Sequence, residues 1–221
     1  MHVLVAVALA ALPVPPGPGH VVRAVDNPWF PLRPGSTYIY RGTQDGEPVR
    51  DTVRVLHRTR RIQGVRCTAV RDQVYVHGRL SERTTDYYAQ DDRGTVWYFG
   101  ERTAELDASG HVTSTEGSWQ SGVHGARAGI FMPAHPRVGR TFQQEFLRGH
   151  AEDRFTVTSR RARVATPYVT TGRALRTKEF TPLEPGVFDA KFYVYGIGNV
   201  AEQSLTGPAE ALQLVEVLAP R

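Results

Sequence analysis

The side chains best suited to chemistry in this sequence are carboxyls set among aromatic rings. Asp86, Glu101, Glu116, Glu145, Glu152 and Asp153 fall within or beside strand-like stretches rich in Tyr, Trp and Phe. In Thr85-Asp86-Tyr87-Tyr88, period-two alternation puts Asp86 and Tyr88 on one face. If that face lines an interior, the Asp86 carboxylate needs a partner, and Arg83 or Arg102 is the obvious candidate. Two such carboxyls facing one another could act as acid and base on a polar substrate such as a glycan. The same residues equally suit a barrel core held by buried ion pairs. Asp86, Glu101, Glu116 and Glu145 are therefore the first suspects for catalysis, with the purely structural role left open beside it.

Other chemistries have less footing. The chain contains no His-Glu-x-x-His, no Gly-x-Ser-x-Gly and no Gly-x-x-x-x-Gly-Lys. His124, His135 and His150 could be gathered with Glu152, but no two histidines after His20 stand at i,i+2 or i,i+4. No ligand pair is preassembled, so neither a metal site nor a cofactor is assigned. Cys67 lies mid-strand with no His and no helix start beside it, which reads as an inert buried thiol. As the sole cysteine it excludes an intramolecular disulfide framework and any Cys-rich metal site.

The elements that must position these groups are strands. Thr37–Tyr40, Val53–Val55, Val74–Val76, Phe155–Val157 and Leu212–Val217 are rich in β-branched and aromatic residues at period two. Turn signals punctuate them, among them Asp45-Gly46, Gln63-Gly64, Asp91-Asp92-Arg93-Gly94 and Glu184-Pro185-Gly186. The pattern predicts an all-β domain, an antiparallel meander of about ten strands forming a barrel, half-barrel or sandwich. Thr95–Phe99 is apolar on both faces and should be a central strand packed on two sides. One long Gly/Pro-rich loop is expected from Gly117 to Arg140. It would either plug an open end with Ile130, Phe131 and Met132 or close over a ligand. If the interior takes a ligand, Tyr88, Trp97, Phe99, Trp119 and Met132 are the expected contacts.

Residues 3–12 form a ten-residue apolar run, too short to span a bilayer but fitting a secretory signal peptide. Pro13, Pro15, Pro16 and Pro18 block its continuation as helix or strand. Cleavage after Ala10 or after Ala24 fits a small-x-small rule, and the division adopted is 1–24 signal peptide and 25–221 single domain. The expectation is a secreted or extracytoplasmic protein without stable membrane insertion. With 40% hydrophobic and 22% charged residues, wholesale disorder is excluded. The net charge of +5 is carried almost entirely by scattered arginines, so nucleic acid is not an expected partner. The oligomeric state is left open.

Two segments carry a resemblance. Asn27-Pro28-Trp29-Phe30-Pro31-Leu32-Arg33-Pro34-Gly35 and Tyr88–Glu101 resemble motifs of a group of uncharacterised secreted bacterial proteins. Glu116–Trp119, Gly129–Ala134 and Ala151–Asp153 extend the likeness over most of the chain. That group has no established activity, so the resemblance implies compartment and single-domain organisation. More distantly, Phe192–Glu202 is similar to a segment of half-barrel proteins related to periplasmic lipoprotein carriers, although Val194-Tyr195 stands where those have Ala-Pro. That likeness implies a curved antiparallel sheet around an apolar groove. Three functions are carried forward: binding of a small apolar or amphipathic ligand inside a barrel, hydrolysis or lysis by interior carboxylates, and a surface-interaction protein with a filled core.

Overall fold

The structure, a computed structural model, describes residues 13–220. The apolar run at 3–12 therefore lies outside the described residues. The chain is all-β, an antiparallel sheet of 16 strands nearly closed into a barrel. The first half runs β1 (Thr37–Gln44), β2 (Glu47–Ile62), β3 (Val65–Val76), β4 (Arg79–Gln90) and β5 (Val96–Arg102). Short pieces follow: β6 (Glu105–Leu106), β7 (Val112–Ser114), β8 (Trp119–Gln120), β9 (Arg127–Met132), β10 (Thr141–Gln143) and β11 (Glu145–Phe146). Long strands then return as β12 (Arg154–Ala165), β13 (Thr170–Phe180), β14 (Phe188–Val194), β15 (Gly198–Thr206) and β16 (Glu210–Leu218).

Local sequence sets the hairpins. Asp45-Gly46, Gln63-Gly64 and His77-Gly78 each hold two successive positive φ angles, between 49° and 83°. That backbone pair closes two-residue hairpins whose twist matches the flanking strands, and the second position favours glycine strongly. β1 to β4 are thus laid side by side by three tight turns of one kind.

The ends of the row are joined through the chain itself. β16 pairs with β1, and the outermost strands of the row are β10, against β12, and β11, against β9. Only Gln144 separates β10 from β11, so one kinked segment serves both edges. Gly129 permits this, because a Cβ there would lie 2.5 Å from the carbonyl carbon of Gln144.

Each face of the wall is packed. Inside, a continuous cluster includes Tyr38, Tyr40, Tyr88, Tyr98, Phe131, Phe155, Leu175, Tyr193 and Leu214. A second cluster of Ile62, Val65, Cys67, Ala69, Tyr87, Ala89, Trp97, Phe99 and Ala128 occupies the opposite face of β2 to β5 and β9. It is covered by the amino-terminal segment, where Val21 bridges to Asp91, and by the turn after β8, where Ser121 Oγ donates to Gln63 Oε1 at 2.6 Å. The two-sided packing expected of 95–99 is present. The stretch 117–140, expected to be one long loop, contains β8 and β9 in the wall. Its central strand is only six residues long and interrupted by Gly129, which hides its period.

Candidate functional site

The barrel holds a partly open cavity of about 280 Å³, near the low end of ligand pockets, about 300 Å³. Eight carboxyls line it: Asp51 from β2, Asp72 from β3, Glu82 and Asp86 from β4, Glu101 from β5, Glu145 from β11, Asp153 before β12, and Glu202 from β15. Among the described residues, Lys191 of β14 is the one cationic side chain in this wall. Phe30, Tyr40, Tyr88, Tyr98 and Phe131 supply an aromatic side, with Val53, Val70 and Leu212 beside them. Phe30, Tyr88 and Phe131 meet pairwise with ring centroids 4.5 to 5.2 Å apart, and Tyr98 stacks on Tyr88 at 4.9 Å.

A bulge aims two of the carboxyls at one hydroxyl. In the β4–β5 pairing Asp86 faces Glu101 and Tyr88 faces Tyr98, so Phe99 and Gly100 together oppose Tyr87. The extra residue reverses the alternation of β5 beyond Phe99. Trp97 and Phe99 point to the outer cluster, and Glu101 turns into the cavity. Gly100 sits at φ +140, where a Cβ would lie 2.5 Å from the Trp119 carbonyl oxygen. Tyr98 Oη consequently reaches Asp86 Oδ1 at 2.6 Å and Glu101 Oε2 at 3.1 Å, donating its one proton to one of them at a time. Asp86 is thus met by Tyr98 rather than by Arg83 or Arg102, both of which are exposed.

Burial, only partly offset by Lys191, shifts this group of carboxyls toward their acid forms. Burial first, and then the charge of Asp72, pushes Asp86 up to about 7 against the opposing bond from Tyr98. Burial and then Asp86 and Glu145 push Glu101 up to about 9. Glu145 rises to about 8 through burial and then Asp153, with the Trp119 indole N–H beside it but short of a well-formed hydrogen bond. Asp51 is raised by burial to about 6, and burial and the Asp51 charge raise Asp72 as well. Burial works against the Lys191 ammonium, yet Glu202, 3.5 Å away, with Tyr193 and Glu179, leaves its pKa above the usual value. The arrangement can store protons, hold a positive charge, or present carboxylic acids and carboxylates to one substrate.

The sequence suspects are distributed unevenly around this cavity. Asp86, Glu101, Glu145 and Tyr88 line it together. Glu116 is exposed in the turn before β8. Trp97 and Phe99 belong to the outer cluster, where Trp97 Nε1 donates to Asp91 Oδ2 at 2.9 Å. Trp119 and Met132 are buried in the inner cluster. Sequence reading missed Asp51, Asp72, Glu82, Glu202 and Lys191, which come to the cavity from five different stretches of sequence. Among the described residues, no three of His, Cys, Asp and Glu are placed to hold a metal ion. Burial pushes the Cys67 thiol up to about 12.

The segments behind the family resemblance form a latch at one end of the wall. Gln90 Oε1 accepts from the backbone N–H of Asp26 and of Asn27, and Asn27 Nδ2 donates to the Gly94 carbonyl at 2.8 Å. Asp91 Oδ1 accepts from the N–H groups of Arg93 and Thr95.

No family model matches the chain, and no curated protein matches it. Two solved structures are similar to the chain at low identity. One is described as a "putative exported protein with YmcC-like fold" from Bacteroides fragilis, 12% identical over 86% of this chain and 99% of its own, with a TM-score of 0.48. The other is described as a "putative lipoprotein" from Parabacteroides distasonis, 9% identical over 86% of this chain and 98% of its own, with a TM-score of 0.45.

Proposed function

We propose that this is an extracytoplasmic protein that binds a small amphipathic ligand inside its barrel. The observation that carries the reading is the cavity itself, which joins an aromatic corner to a wall of carboxyls around one space. A solidly packed interior with no cavity would have favoured the interaction protein instead. A purely apolar ligand would leave buried carboxyls facing hydrocarbon, at several kcal/mol each by transfer scales (about 1–3 from protein data). Export rests on the apolar run at 3–12 and the prolines that end it.

A second reading, hydrolysis or lysis of a polar substrate, is favoured by one observation. Asp86 and Glu101 share the Tyr98 hydroxyl, yet burial and neighbours raise them to different extents. Pairs of carboxyls pushed apart in this way are how acid and base roles are divided.

Native mass spectrometry of the chain purified from its own host tests the first reading. The expected result is a stoichiometric mass excess that vanishes on denaturation, over a polypeptide mass lacking the apolar amino-terminal run. A bare polypeptide mass would count against binding of an endogenous ligand. Product release from a glycan panel, lost in Glu101→Gln, would move the assignment to the enzyme.

A further inference from the structure

Resting on the binding reading above, we propose that the ligand is a cation, a protonated primary amine on an apolar body, its ammonium bridging Asp51 and Asp72. The first ground is the imbalance of charge. Eight carboxyls face one ammonium, and that ammonium is already engaged by Glu202. The chain as a whole carries +5, so the acidity belongs to the interior and not to general composition.

The second ground is an unfilled bonding position. Asp51 is 8% exposed and lines the cavity, and no N–H or O–H of the described residues reaches its Oδ1. Asp72 Oδ1 is in the same condition, although the two carboxyls lie within hydrogen-bond reach of each other. Two acceptors cannot satisfy one another, so the gap is bridged by a proton or by a donor from outside. An ammonium brings three donors and the missing charge. An anion would be repelled by the carboxylates, and a neutral alcohol would bring one donor and no charge.

The third ground selects an organic cation. The described residues place no three metal-ligating side chains together. They do place Phe30, Tyr88, Tyr98 and Phe131 in mutual contact in the same wall. Aromatic faces attract a desolvated ammonium and pack against its apolar stem.

Protons and the amine then compete for the same oxygens. Glu82, Asp86 and Tyr88 face them from β4, Tyr98 and Glu101 from β5, and Glu145 and Asp153 from β11 and the turn before β12. Tyr40 of β1, Lys191 of β14 and Glu202 of β15 complete the circle, with Glu179 and Glu210 standing around Lys191. Asp72, and less so Asp51, is held above the ordinary carboxylate range, so binding of the ammonium displaces a proton from the pair. Affinity for the amine therefore rises with pH as those carboxyls ionise.

Calorimetry with phenethylamine, phenethyl alcohol and phenylacetate separates the charges on one ring. The amine is expected to bind at least about tenfold more tightly than the alcohol, with proton release read from the dependence of the heat on buffer. Asp51→Asn and, independently, Asp72→Asn are expected to cut the ratio of amine to alcohol affinity about tenfold, so one folded variant suffices. Equal affinities, or tightest binding of phenylacetate, would overturn the cation while leaving a ligand-binding barrel. Failure of all three probes, with a bare native mass, would remove the binding reading as well.

Discussion

Asp86 shows how much one position can report. It is 8% exposed, accepts from Tyr98, and is raised by burial and then by Asp72 from 3.8 to about 7. Between those two values the folded state binds more protons than the unfolded chain, so this residue makes stability fall as pH rises. At about 1.4 kcal/mol per pKa unit the effect reaches up to about 4 kcal/mol at neutral pH. Asp86→Asn keeps an acceptor for Tyr98 and removes the titration. The variant is expected to gain on the parent by about 2–4 kcal/mol between pH ~4 and pH ~7. Urea midpoints at the two pH values check this. A constant difference would mean that Asp86 is charged in the fold at neutral pH. Alternation alone made the inward aim of Asp86 and Tyr88 legible, because the extra residue of the bulge lies on β5 and leaves the alternation of β4 intact there. The partner was not legible, since Tyr98 reaches Asp86 only through the register of a neighbouring strand.

Strands with their own turn chemistry were readable, and strands that depend on distant chain were not. Asp45-Gly46 and Gln63-Gly64 announce their hairpins because the required positive φ pair favours those residue types. β5 misleads, since Trp97, Phe99 and Glu101 share one face under strict alternation. The bulge at Phe99-Gly100 sends Glu101 the other way. Its one local sign is Gly100, a glycine inside an aromatic strand. β9 is less legible still, because its place is fixed by the segment that closes the barrel against it. Gly129 is where that closure is tightest, with the backbone of Gln143 and Gln144 where its Cβ would be. Gly129→Ala must push β10 and β11 outward and is expected to cost about 1–3 kcal/mol, the usual range for overpacking. Urea unfolding measures the cost, and faster amide exchange confined to 141–146 would locate it. Unchanged stability would show that the closing segment is not pinned at this point.

Across the whole molecule eight carboxyls and one lysine gather on the cavity wall, while most of the arginines are exposed on the outside. No window of sequence contains that wall, because the lining residues come from ten separate strands and three segments between or before strands and meet only when the sheet curls. The consequence is an inverted pH response. Most proteins lose stability on acidification because their carboxylates are paired in the fold. Here burial raises Asp51 to about 6, Asp86 to about 7, Glu145 to about 8 and Glu101 to about 9. Each of these folded values exceeds its unfolded one, so each group makes stability fall as pH climbs through its own window. Together the windows reach from about 4 to about 9. The raised Lys191 titrates above that range and does not offset them. The urea midpoint is therefore expected to be higher at pH ~5 than at pH ~9, and Glu101→Gln should lessen the decline throughout the range from about 5 to about 9. A midpoint that rises with pH would mean that the interior carboxyls are ionised and countered in the fold. The proton store inferred from the cavity would then be absent.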